Sequence, residues 1–251
     1  MKRYLRCAFA IAVALAAMAA RPIASDRMSR VPHVVLWAWE RRENLGFIDP
    51  ATTGVAYLAV TLELSGDRVV LHPRLQPLTV PPRTTLVPVA RIETDWHSRP
   101  TLSDLQRAEA ARIIAGLANP SAAAIQIDFD ASKSQRGFYR ELLADVRGRI
   151  PASIPLSMTA LASWCLDDNW IAGLPVDETV PMLFRMGRDS GRIDSYLRAG
   201  GKFSPAIGQT SIGLALDEPF AGLSGDKRVY LFSPRPWTAA DANAAIVELA
   251  R

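Results

Sequence analysis

The chain is poor in cysteine and histidine and has no sustained run of one charge. Each shortage removes a class of function. The cysteines are Cys7 and Cys165, and the histidines His33, His72 and His97 are scattered. A disulfide scaffold is ruled out, and no metal-ligand spacing is present. Lysines and arginines do not cluster with aromatics, so no nucleic-acid partner is expected. No glycine-rich phosphate loop follows the first strand-like segment, where Glu40-Arg41-Arg42-Glu43 stands instead, which argues against a dinucleotide site. No nucleophile elbow of the serine hydrolases appears. No cofactor is expected.

Long apolar runs are also missing, apart from the N-terminus. Lys2, Arg3 and Arg6 precede the apolar run 7–18, and Ala17-Met18-Ala19 fits a small-x-small cleavage site. Residues 1–19 therefore read as a signal peptide of an exported, periplasmic or secreted protein, with an uncleaved anchor as the alternative. Residues 20–31 read as a polar leader and 32–251 as one domain. No transmembrane segment is expected in the mature chain. The formal net charge is +4, but residues 1–19 hold three bases and no acid, leaving +1. Cleavage would leave Cys165 alone, next to Trp164 and with no evident histidine partner, so it reads as a buried structural thiol.

What remains is a regular rhythm. Strands are expected at 34–40, 55–64, 86–93, 123–130, 154–160, 178–184, 210–216 and 228–232, with 68–72 as a hairpin arm. Helices are expected at 101–117, opened by a Thr101–Asp104 capping box, and at 134–149, 166–172, 192–199 and 238–251. Alternating strands and helices imply parallel strands with right-handed crossovers. Eight units in about 220 residues suit an α/β fold of the (β/α)8 TIM-barrel type. An open doubly wound sheet is the alternative.

The fourth strand carries the sharpest signal. In Ala123-Ala124-Ile125-Gln126-Ile127-Asp128-Phe129-Asp130, apolar and polar residues alternate. Asp128 and Asp130 therefore share one face, roughly 6–7 Å apart. They are candidate catalytic residues, with Asp130 the acid and Asp128 orienting it. The plainer alternative is a helix cap and an arginine pair. Barrel enzymes build their sites at the C-terminal strand ends. Those ends add Glu218 as a further catalytic candidate. Trp39, Glu40, Arg91, Glu93, Trp164, Arg185, Asp217, Arg235 and Trp237 are candidates for substrate binding. Tryptophans stack on sugar faces while acids and arginines bind hydroxyls, and paired carboxyls suit glycoside hydrolysis.

Several segments resemble a bacterial domain-of-unknown-function family, number 3142: Leu-Trp-Ala-Trp-Glu (36–40), Gln-Ile-Asp-Phe-Asp-Ala (126–131), Ser-Gln-Arg (134–136) with Phe138-Tyr139, Thr-Ala-Leu-Ala-Ser-Trp-Cys (159–165), Pro-Met-Leu-Phe-Arg-Met-Gly (181–187) and Leu-Asp-Glu-Pro (216–219). The resemblance covers nearly all of the mature chain and implies an exported bacterial protein. It implies no reaction. More weakly, the fourth strand is similar to the D-G-x-D-x-D-x-E pattern of family-eighteen chitinases. Asp128 and Asp130 match its second and third acids. Ile125 stands at the first acid and Ser132 at the catalytic glutamate.

The expectation is a glycosidase-like barrel with a carbohydrate ligand from the cell envelope or outside the cell. A glycan-binding or envelope-assembly module without turnover is the alternative, and a mouth that binds a partner protein is a third. Oligomeric state is left open.

Overall fold

The structure is a computed structural model that describes residues 27–166, 168–203, 210–218 and 227–249. The expected signal peptide and the first part of the expected leader lie outside the described residues, as does Pro219 of the Leu-Asp-Glu-Pro segment.

Among the described residues eleven strands are formed: β1 (Val34–Ala38), β2 (Glu43–Asn44), β3 (Thr53–Ser65), β4 (Arg68–Pro73), β5 (Leu78–Thr79), β6 (Leu86–Thr94), β7 (Ile125–Asp128), β8 (Leu156–Leu161), β9 (Glu178–Met182), β10 (Ser211–Ala215) and β11 (Arg228–Phe232). Eight of them follow the order β1-β11-β10-β9-β8-β7-β6-β3, all parallel, and β1 pairs with β3 to close the ring. This is the (β/α)8 barrel, and the open sheet is excluded because no free edge remains in the ring. β4 folds back antiparallel on the overlong β3 as the expected hairpin arm.

Helices α1 (Asp104–Ala115), α2 (Arg136–Arg149), α3 (Ala162–Leu166), α4 (Ser190–Arg198) and α5 (Ala239–Leu249) follow β6, β7, β8, β9 and β11. β1 and β3 are followed instead by the small β2–β5 ladder and the β4 arm. The opening of α1 differs from expectation. Thr101 gives its amide to Gly66 O of the β3–β4 turn at 2.7 Å. The cap is Ser103, whose hydroxyl accepts from Gln106 N at 3.3 Å, while Gln106 Oε1 accepts from Leu102 N at 3.0 Å. The cap thus forms two residues later and without the reciprocal box, because Gln106 reaches back to the Leu102 amide and not to that of Ser103. The helix expected at 166–172 is divided into α3, which begins earlier, at Ala162, and a 3₁₀ turn at Asn169–Ile171.

Strand alternation produces two cores. Ile125, Ile127 and Phe129 point outward and pack on Tyr139, Leu142, Leu143 and Val146 of α2. Val35, Trp37, Val87, Val89, Val180 and Tyr230 point into the lumen. Below them, at the N-terminal strand ends, lies a buried polar layer. Glu178 accepts hydrogen bonds from Ser157 Oγ (2.7 Å), Ser211 Oγ (2.5 Å), Arg228 Nη1 (2.6 Å) and Tyr230 OH (2.8 Å). Arg228 also donates to the carbonyls of Met28, Val31 and Pro32 at 3.0–3.2 Å. Met28 and Val31 are buried in the lumen core. The described end of the leader therefore caps the barrel floor, which its polar composition does not suggest.

Candidate active site

The other end of the lumen is open. In β7, the residues facing inward are Gln126 and Asp128, with Asp130 just beyond the strand end. Parallel register sets Arg91 of β6 beside Asp128. Thr159 of β8 donates its hydroxyl to Asp128 Oδ1 at 2.6 Å. Asp128, Asp130, Arg91 and Thr159 line a cavity of about 240 Å³ at the barrel mouth.

The cavity is walled by rings. Trp37 lies across its base, with its indole N–H given to Gln126 Oε1 at 2.8 Å. Gly213 leaves room for it, since a Cβ there would stand 2.8 Å from the indole. Trp39 meets Phe232 edge to face at 6.3 Å, and Phe232 stacks on Phe184 at 5.5 Å. Leu161, Met182 and Arg185 complete the wall.

Electrostatics divides the two aspartates. Desolvation pushes the Asp128 carboxyl up to about 6. The Thr159 hydroxyl and the Arg91 charge oppose this rise, and the charges of Asp130 and Glu93 add to it. Asp130 stands at the opening, where solvent reaches it. The protein around it still raises its carboxyl, again with Arg91 opposing. Neither aspartate joins an ion pair among the described residues.

The other carboxylates named from the sequence are engaged. Glu93 pairs with Arg91 Nε at 2.7 Å. Asp217 pairs with Arg185 Nη2 at 2.6 Å, and Glu218 takes Arg185 Nη1 and, at 3.0 Å, the Arg185 amide. This clamp holds Arg185 at φ 56°, a left-handed conformation that a non-glycine residue rarely keeps without support. Glu40 is exposed on the loop after β1, where its charge reaches Arg74. Arg235 pairs with Asp241 of α5 at 2.7 Å.

Of the three tryptophans expected at the rim, only Trp39 lines the cavity. Trp164 turns outward on α3 and packs on Trp170 at 4.9 Å, with the Arg136 guanidinium 5.8 Å from its ring. Trp237 is buried against the outside of β1, giving its indole N–H to Trp37 O at 2.9 Å and its backbone amide to Glu43 Oε2 at 3.0 Å. Both are core residues, because the loops that carry them leave the rim within a few residues of their strands.

Sequence reasoning passed over Trp37, Thr159, Phe184 and Phe232 as site residues. The period of two could have found them: Trp37 lies two before Trp39, and Phe232 two beyond the lumen residue Tyr230. Arg74 had no such signal, yet its guanidinium binds the carbonyls of Ala38, Trp39 and Arg41 and holds the Trp39 loop. Cys165 is buried, and burial pushes its thiol up to about 12, which suits a structural role. Among the described residues no group of His, Cys, Asp or Glu is placed to hold a metal ion, and no helix is long and apolar enough to cross a membrane.

No protein-family model and no curated protein matches the chain. The likeness to family 3142 is therefore one of short motifs. Among solved structures, the chitinase domain of the spore coat protein CotE from Clostridium difficile is similar at a TM-score of 0.40 and 16% identity. The match covers 60% of this chain and 49% of that one, so this chain spans about half its length. The barrel is established by the closed strand order described above.

Proposed function

We propose that the mouth takes a sugar ring and that its two aspartates hydrolyse the glycosidic bond. The observation that carries this reading is Asp128. It is a carboxyl raised to about 6, held by one hydroxyl, in no ion pair, and facing an open cavity. A general acid must hold its proton near neutral pH, and burial is how proteins arrange that. Asp128 gives its proton to the glycosidic oxygen as the bond to the anomeric carbon breaks. Water adds to that carbon and passes its proton to Asp130, the more exposed partner. These roles reverse those suggested by strand position, because the inner carboxyl is the more desolvated. The aromatic wall suits a sugar's apolar face. The basic and apolar stretch 2–18 supports export, and with it a glycan of the envelope or the cell exterior.

One observation favours a second reading, binding without turnover. Glu93, Asp217 and Glu218 are all held by arginines. The position of the chitinase glutamate holds Ser132, whose amide binds Gln135 Oε1 at 2.8 Å in the turn before α2. The deciding experiment is product release from a panel of envelope glycans and exopolysaccharides by the wild type, Asp128→Asn and Asp130→Asn. Turnover that either variant loses supports hydrolysis. No turnover, with binding that survives both changes, supports the binding module.

A further inference from the structure

The charges around the mouth are distributed unequally. Each guanidinium of the lining has a carboxylate of its own outside it: Arg91 has Glu93 at 2.7 Å, and Arg185 has Asp217 at 2.6 Å and Glu218 as well. Arg235, whose charge also reaches Asp217, is paired with Asp241. The carboxylates of the lining have no such partner. Asp128 has a neutral hydroxyl, neither it nor Asp130 joins an ion pair among the described residues, and the Arg91 charge that reaches both is itself paired with Glu93. The mouth thus carries an excess of negative charge inside a concave wall, where the field is concentrated.

The wall itself accepts cations. The Arg91 guanidinium already lies 5.5 Å from the centre of the Trp39 ring, and Phe232 and Phe184 extend that surface. Aromatic faces beside unpaired carboxylates form the usual receptor for an ammonium group. An anionic sugar would meet like charge. An N-acetylated sugar would leave Asp130 with no countercharge beyond the Arg91 guanidinium, which Glu93 already pairs.

We infer that the mouth selects a cationic sugar, an amino sugar with a free ammonium group, over its N-acetylated counterpart. This inference rests on the glycan reading above. It makes the natural ligand a glycan that a de-N-acetylating reaction has already processed.

The test is calorimetric titration of the full chain with a glucosamine tetramer, an N-acetylglucosamine tetramer and tetramethylammonium, for wild type and Asp130→Asn, at low and high salt. The glucosamine tetramer is expected to bind about tenfold tighter or better than the acetylated one. That preference should shrink to below about threefold in Asp130→Asn and, in the wild type, at about 0.5 M salt. Equal or tighter binding of the acetylated tetramer would overturn the inference while leaving the glycan reading intact. So would a preference that survives both the substitution and the salt. Binding of tetramethylammonium alone would overturn the glycan reading and keep the cation site. Binding of none of the three would overturn both.

Discussion

The two ends of one lumen treat carboxylates in opposite ways. At the floor, Glu178 is fully buried and receives four donors, one of them the Arg228 guanidinium. At the mouth, Asp128 has one hydroxyl and Asp130 stands at the opening. Burial alone therefore does not mark a functional acid. A buried charge whose lone pairs are all engaged is part of the framework. One that is desolvated and left outside any ion pair is held ready for something that is not part of the chain.

The largest expected effect comes from breaking the floor. Glu178→Leu leaves Arg228 charged and buried, and should lower unfolding stability by about 3–5 kcal/mol in denaturant titrations. Adding Arg228→Met should recover much of that loss. If the single change were harmless, the floor would not be the framework claimed here. Next is Gly213→Val, which pushes a side chain into the Trp37 indole. Overpacking of this kind costs about 1–3 kcal/mol. Because Trp37 forms the cavity base, ligand binding should fall further than stability does.

The mouth carries the next effect, and its sign is set by pH. The folded value of Asp128, about 6, lies above the ordinary 3.8. The folded state therefore holds the proton more tightly, and the fold loses stability as pH rises through that interval. Wild type should weaken relative to Asp128→Asn between about pH 4 and pH 7, by up to about 3 kcal/mol. Paired denaturation curves across that range check it, and a flat difference would remove the case for a desolvated acid. The smallest effect belongs to Glu218→Gln. Exposed ion pairs are worth about 1 kcal/mol or less, so the melting point should hardly move. Turnover or binding should persist, since Glu218 holds Arg185 and does not face the cavity. Complete loss of turnover would return Glu218 to the catalytic set.

Much of the site was legible along the strands. The alternation of Ile125, Ile127 and Phe129 with Gln126, Asp128 and Asp130 set one face against α2 and the other into the lumen, as found. The loops were less legible. Trp39 adjoins the end of β1, whereas Trp164 lies in α3 and Trp237 in the loop beyond β11, and both of these turn into the outer core. Their surroundings come from α2, β1 and β2, which are distant in sequence.

The sequence by itself determined the count of parallel strands, their order and the two aspartates on one strand face. Those features follow from local periodicity and from short connections. Only the tertiary structure decided which acids are paired, which tryptophan faces the ligand and that residues 28–32 lock the floor. Those depend on contacts between segments up to two hundred residues apart, such as Arg228 with Met28. No spacing along the chain encodes such a contact, because it exists only once the ring has closed.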